Sequence, residues 1–230
     1  MENSIQSEIA YNLIPKSNKI LEIGCSSGYF SQRLLNKGRE VYGIDINKKD
    51  IEEAKKKFRK INFFVGKAEK LPFSDNSFDV VVMLETLEHV DEKKAVKEAY
   101  RVLRPKGLVI LSFPNKGMFS FLDPFNLKMK FKSYLPGFLL KSQKYQENLL
   151  YHKHYSLEDI KKIFSEKFIL EKAYYRGLFF YPVCSLFSSL NRKLKLNYLS
   201  DMFAYLKTID GKLNYGKLSY NLIIKARKNG

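Results

Sequence analysis

The chain of 230 residues contains no tryptophan, two cysteines and three histidines. Cys25 and Cys184 are too few for a disulfide framework, and a reducing, cytoplasmic setting is expected from them. No internal repeat, heptad run or low-complexity linker is present, which excludes solenoids, coiled coils and tethered arrays. Long apolar runs are also missing. The longest nearly uncharged stretch, Gly177 to Asn191, falls short of the roughly 20 residues that a bilayer span needs. The opening MENSIQSEIAYNLIP carries Glu2 and Glu8 and has no basic region ahead of an apolar core, so it is not expected to act as a signal peptide.

Acidic residues are the minority: 24 Asp and Glu stand against 41 Lys and Arg, a formal charge of +17. The imbalance is uneven, because residues 1 to 115 hold 20 basic and 16 acidic side chains whereas 116 to 230 hold 21 and 8. The second half also carries 22 of the 33 Phe and Tyr residues. A basic, aromatic half suggests an anionic or amphipathic partner; solvated lysine faces are the alternative reading.

A hydrophobic content of 45% is enough for a core, and the length suits one domain with insertions. KILEIG, EVYGID, INFFVG, FDVVVML and GLVILSF are short apolar runs ended by Gly, Asp or a polar residue, and they predict buried strands. Between them YFSQRLLNKG, KKDIEEAKKKFRK and DEKKAVKEAYRVLRP predict helices, the last stopping before Pro105. Later, SLEDIKKIFSEKF reads as a helix capped by Ser156, and KFILEKAYYR and LSYNLIIKARK as two more strands. The alternation predicts an α/β fold: a doubly wound, mostly parallel, seven-stranded Rossmann-like sheet with helices on both faces. Residues 15–115 would form the cofactor-binding core of a single domain spanning 1–230. Two irregular aromatic insertions, 116–155 and 177–214, would build a lid over the acceptor, and 156–176 and 217–228 would close the core.

In open sheets of this kind ligands bind beyond the carboxyl ends of the strands. Gly24, Cys25, Ser26, Ser27 and Gly28 follow the first strand and open a helix, where backbone N–H groups and missing side chains leave room for a ligand. Asp45 ends the second strand, 21 residues after Gly24, where a carboxylate can accept both hydroxyls of a ribose. The dinucleotide fingerprint needs glycine at its third and sixth places, which Ser26 and Tyr29 occupy, so an adenosine cofactor without a pyrophosphate is expected.

GKAEKLPFSDNSFDVVVMLETLEHV followed by EAYRVLRPKGLVILSFPN resembles the class I S-adenosylmethionine-dependent methyltransferases, above all the small-molecule enzymes, over residues 15 to 115. The resemblance implies that Glu22 serves the amino-acid end of the cofactor, that Gly24, Cys25, Ser26 and Gly28 flank its methionine moiety, and that Asp45 holds the ribose with Ile46 against the adenine. It also implies that Ala68 and Glu69 meet the adenine edge and that Leu84 and Glu85 lie beneath the sulfonium. Two positions depart from the pattern. Relatives usually have Asp where Lys67 stands, and Lys cannot accept the bond from the adenine amino group, a task that Glu69 would take over. Ser26 replaces a glycine, which is tolerable if the backbone there needs no positive φ.

Methyl transfer from a sulfonium is an in-line displacement that gains much from alignment, but an oxygen acceptor must still lose a proton. Glu85, Glu88 and His89, just past the fourth strand, are similar in spacing to the metal ligands of ubiquinone-pathway O-methyltransferases and small-RNA 2′-O-methyltransferases. That likeness implies catalytic roles for Glu85 and His89, and a divalent ion such as Mg2+ on Glu85, Glu88 and His89 joined by His152 or His154. Without a metal, His89 would be a direct base.

MFSFLDPFNLKMKFKSYLPGFLL, with Lys128, Lys130 and Lys132, and FFYPVCSLFSSLNRKLKLNYL, with Arg192, Lys193 and Lys195, mix large apolar side chains with cations. Such a surface suits a lipid-like or glycan acceptor and peripheral contact with an anionic membrane, at the membrane face of the cytoplasm. Three functions follow: O-methylation of a small molecule, methylation of an RNA 2′-oxygen, and binding without turnover on a retained fold. No separate RNA-binding module is seen, so nucleic acid ranks below a small-molecule acceptor. The acceptor and the oligomeric state are not fixed by the sequence.

Overall fold

The computed structural model describes residues 4–15, 19–35, 38–117, 120–123, 126, 152–178 and 197–230. Their strands are β1 (Lys19–Ile23), β2 (Glu40–Asp45), β3 (Asn62–Val65), β4 (Phe78–Leu84), β5 (Leu103–Pro114), β6 (Phe168–Arg176) and β7 (Asn221–Lys228). The helices are α1 (Ile5–Leu13), α2 (Tyr29–Leu35), α3 (Lys48–Lys57), α4 (Glu92–Val102), α5 (Leu157–Phe164) and α6 (Asn197–Lys212).

The seven strands form one mostly parallel sheet in the order β3-β2-β1-β4-β5-β7-β6. β1 pairs in parallel with β2 on one side and β4 on the other. From β1 the chain winds outward through β2 to β3, then returns to β4. The carboxyl ends of β1 and β4 therefore open a crevice where the strand order reverses. β1 and β4 are buried along nearly their whole length, as expected of strands covered on both faces.

Local chemistry fixes the helix ends. Asn47 caps α3 by accepting the backbone N–H of Lys49, and Asp91 caps α4 by accepting that of Lys94. In α3, Asp50 sits in the first turn and Lys55, Lys56 and Lys57 in the last, which suits the helix dipole. Ala95, Val96, Ala99 and Val102 bury one stripe of α4. That helix ends at Val102, two residues before the expected stop, and Leu103 already pairs with Phe78 in β5. Pro105 pushes the residue before it out of helical geometry, Lys106 has φ 61°, and the register between β4 and β5 shifts by a bulge between Phe78 and Val80.

The chain divides into two compact units. The first, Met1–Phe113, Leu157–Tyr174 and Ile223–Gly230, holds most of the sheet and the crevice. Its core includes Ile20, Val41, Ile51, Phe63, Val80 and Ile110. The second unit, Pro114–Ser156 and Tyr175–Leu222, is pinned by Asn115, whose side-chain amide donates to the carbonyls of Lys217 at 3.0 Å and Ser219 at 2.7 Å. Two elements escaped the sequence. One is α1, capped by Ser4, which accepts the N–H of Ser7; the other is the 16-residue α6, inside the stretch expected to be irregular.

Candidate active site

The turn after β1 is stitched to β2 by its backbone. The N–H groups of Gly24 and Cys25 both donate to the carbonyl of Ile44, at 2.8 and 3.2 Å, and Gly28 closes the turn on the Cys25 carbonyl at 2.9 Å. Gly24 and Gly28 each have φ 80°, and neither has room for a side chain. A Cβ on Gly24 would meet the Thr86 side chain, and one on Gly28 would lie 2.6 Å from the Phe63 ring.

Asp45 organises this turn from the end of β2. Its Oδ2 accepts the N–H of Ser26 at 2.8 Å and its Oδ1 the N–H of Asn47 at 2.8 Å. A carboxylate has about four acceptor positions, so a pair of ribose hydroxyls can still be taken while both N–H groups stay bound. Ser26 has φ 45°, so the backbone at this position does adopt the geometry that favours glycine, contrary to the condition set from sequence. The Ser26 hydroxyl donates to Asp50 Oδ2 at 3.1 Å, which holds the serine in that conformation. Ile46, next to Asp45, is 46% exposed, an apolar side chain left open beside the ribose position.

Glu22 is buried beneath the turn, and the Ser31 hydroxyl donates to its Oε2. Burial pushes its carboxyl up to about 8; the Ser31 bond opposes this and the Asp45 charge adds to it. Near neutral pH the group therefore carries a proton in a large share of molecules. Burial, reinforced by the charges of Glu22 and Asp45, also pushes the Cys25 thiol far above its usual range, which makes it a packing residue and not a nucleophile.

On the adenine side, Gly66 donates to the Asp45 carbonyl at 2.9 Å, Ala68 is buried and Lys67 is exposed. The Glu69 carboxylate accepts the N–H of Asp91 at 3.1 Å, so it holds the start of α4.

At the end of β4, Leu84 is half-buried and Glu85 has φ 50°. Glu85 is locked to β5: its N–H donates to the carbonyl and hydroxyl of Ser112 at 3.0 and 3.2 Å, and the Ser112 hydroxyl donates to Glu85 Oε1 at 2.8 Å. A non-glycine residue in this left-handed conformation is strained, and the bonds to Ser112 hold it there. Thr86 follows, its hydroxyl reaching the carbonyls of Leu84 at 2.9 Å and Ile23 at 3.2 Å and so tying the ends of β4 and β1. Glu88 is buried and His89 half-buried in the turn Leu87–His89. Ser31, Thr86 and Ser112 were missed from sequence, because nothing in a serine's or threonine's neighbours marks a contact made across the sheet.

His152 Nδ1 and His154 Nε2 lie 3.2 and 3.3 Å from Asp123 Oδ2 in the second unit, where Tyr220 also donates its hydroxyl at 2.7 Å. Burial raises the Asp123 carboxyl, but the bonds from His152, His154, Tyr220 and the Asn126 N–H outweigh it and hold the group well below the usual range. Among the described residues, no three His, Cys, Asp or Glu side chains are arranged to hold a metal ion.

Residues 21–111 match the methyltransferase domain family. Over this stretch the chain is similar to methyltransferase domains. A ubiquinone/menaquinone biosynthesis C-methyltransferase of Rickettsia prowazekii is 41% identical over 115 residues, covering 44% of this chain and 46% of that protein. A ubiquinone biosynthesis O-methyltransferase of Pelagibacter ubique is 35% identical over 112 residues, covering 46% of each. The chain thus spans about half the length of the curated relatives it matches. Among solved structures, a SAM-dependent methyltransferase of Methanosarcina mazei superposes with a TM-score of 0.59 over 96% of both chains at 23% identity, a likeness of fold. The matched 21–111 stretch contains the glycine turn, Asp45, Ala68, Glu69 and the Glu85–His89 turn of the domain.

Proposed function

We propose that this chain binds S-adenosylmethionine in the crevice between β1, β2 and β4 and transfers its methyl group to a small hydrophobic acceptor, with oxygen favoured. The observation that carries this reading is the Asp45 carboxylate, fixed by Ser26 and Asn47 and still able to accept two hydroxyls. When bound, the cofactor supplies a methyl group made electrophilic by the sulfonium. The glycine turn leaves space for the methionine chain, Glu22 beneath it becomes a counter-charge to an ammonium by giving up its proton on binding, and Ile46 offers an apolar face to the adenine. Glu85, held on Ser112, lines the end of β4 without swinging, so the acceptor meets a rigid wall. His89 in the following turn is the group able to take a proton from an acceptor hydroxyl.

By their names, both curated relatives work in quinone biosynthesis, one at carbon and one at oxygen. Hydroxylated, lipid-like acceptors are therefore the first class to test, with glycan-bearing lipids beside them. Purified protein would be incubated with methyl-labelled cofactor and a panel of prenylated phenols, glycolipids, small phenols and single-stranded RNA. Label entering the phenols or lipids as an ether supports the reading; label in RNA alone, or in no acceptor despite cofactor binding, contradicts it.

A further inference from the structure

Helix α6 exposes a row of apolar side chains, whereas Phe203 and Leu206 of the same helix are half-buried. Met202, Tyr205 and Ile209 are 46%, 67% and 42% exposed, and Leu213, just past the last turn, is 47% exposed. Their spacing of three and four residues sets them in one stripe along the helix. The inward positions include Asp210, which is 2% exposed and accepts the N–H of Leu178 at 2.9 Å, and the buried Gly211. A helix of a water-soluble fold ordinarily buries its apolar stripe, and here one such stripe is left open. Scattered exposed hydrophobics need no explanation, but a continuous row does. Leu218 is 45% exposed as well, and Lys212 at the end of the helix and Lys217 shortly after it are exposed.

Charge selects the occupant. Among the described charged side chains from Met202 to Leu218, Lys212 and Lys217 are exposed and Asp210 is buried. A second copy would bring the same positive charge to the same face, a juxtaposition that repels. Three of the four stripe residues are aliphatic or thioether side chains, which give bases no ring to stack on. An anionic lipid surface meets both features, acyl chains for the stripe and headgroups for the lysines. With 16 residues α6 is about 24 Å long, and among the described residues no helix is long and apolar enough to cross a membrane.

We infer that the outer face of α6 docks on an anionic bilayer, the helix lying in the interface with Met202, Tyr205, Ile209 and Leu213 at the headgroup boundary and Lys212 and Lys217 on lipid phosphates. The inference stands independently of methyl transfer, since the cofactor crevice belongs to the other unit.

The test is flotation of the full chain with vesicles of phosphatidylcholine alone and with about 30 mol% phosphatidylglycerol. Two variants accompany it, one with Met202→Ser, Tyr205→Ser, Ile209→Ser and Leu213→Ser, the other with Lys212→Glu and Lys217→Glu. The wild type is expected to float with the anionic vesicles and not with the neutral ones, and each variant to lose roughly tenfold or more of that partitioning. Unchanged thermal melting and cofactor titration show that the variants fold. Equal flotation of all three proteins, or none by the wild type, overturns the inference. So does a wild-type dimer, or an affinity for oligonucleotides without vesicle binding, that the serine variant abolishes.

Discussion

The backbone N–H of Ser26 donates to Asp45 Oδ2 at 2.8 Å, joining the turn after β1 to the end of β2 across 19 residues of sequence. One carboxylate thereby sets the turn and keeps acceptor capacity for a ligand. Its position at the reversal of the strand order is where this kind of sheet opens a ligand crevice.

Ser26 holds φ 45° against the preference of a residue with a Cβ, steadied by its hydroxyl on Asp50. Ser26→Ala removes the hydroxyl and keeps the strain, whereas Ser26→Gly removes both. The glycine variant is expected to be more stable than the alanine variant by about 1 kcal/mol in urea unfolding. Equal midpoints would show that the turn relaxes and stores no strain.

Glu22 makes the first unit sensitive to pH. Its folded-state carboxyl is raised from 4.5 to about 8, so between those values the folded protein keeps a proton that the unfolded chain has released. This contribution to stability is fully present below 4.5 and is lost as the pH rises through about 8. Glu22→Gln should flatten the fall in melting temperature across that range. Cofactor titrations near neutral pH, in buffers of differing ionisation enthalpy, should also report proton release from wild type and none from Glu22→Gln. Identical pH profiles for the two proteins would remove Glu22 from both roles.

Asp123 works in the opposite direction. Its carboxyl is held below the ordinary 3.8, so its contribution is present above that pH and is lost as the pH falls further. Asp123→Asn leaves His152, His154 and Tyr220 without their shared anion. A loss on the order of 3 kcal/mol near neutral pH is expected, shrinking toward strong acid. Differential scanning calorimetry across the acid range reads this directly, and a pH-independent difference would contradict it.

Much of the first unit was legible because its signals are local. Five apolar runs and the glycines at 24 and 28 act within a few residues of themselves, so the sheet and its crevice could be read along the chain. What the sequence concealed depends on distant partners. Ser31 on Glu22, Ser112 on Glu85 and Asp123 with Tyr220, 97 residues apart, have no neighbourhood signature. His152 and His154 looked available for a metal because their partner Asp123 lies some 30 residues away across an aromatic stretch. α6 was hidden differently. Its three- and four-residue spacing was present, but three of its apolar positions, Met202, Tyr205 and Ile209, face solvent, against the ordinary reading of such a pattern. Lys128, Lys130, Lys132, Arg192, Lys193 and Lys195, expected around an acceptor lid, lie outside the described residues.

The most direct test of the account is calorimetric titration of S-adenosylmethionine into the wild type and into Asp45→Ala, with melting curves to show that both are folded. Saturable binding by the wild type, weakened roughly a hundredfold or more in the variant through loss of charge-assisted bonds to the ribose, is the predicted result. Absence of binding in folded wild type, or the same affinity in both proteins, would contradict the assignment of this crevice to a methyl donor.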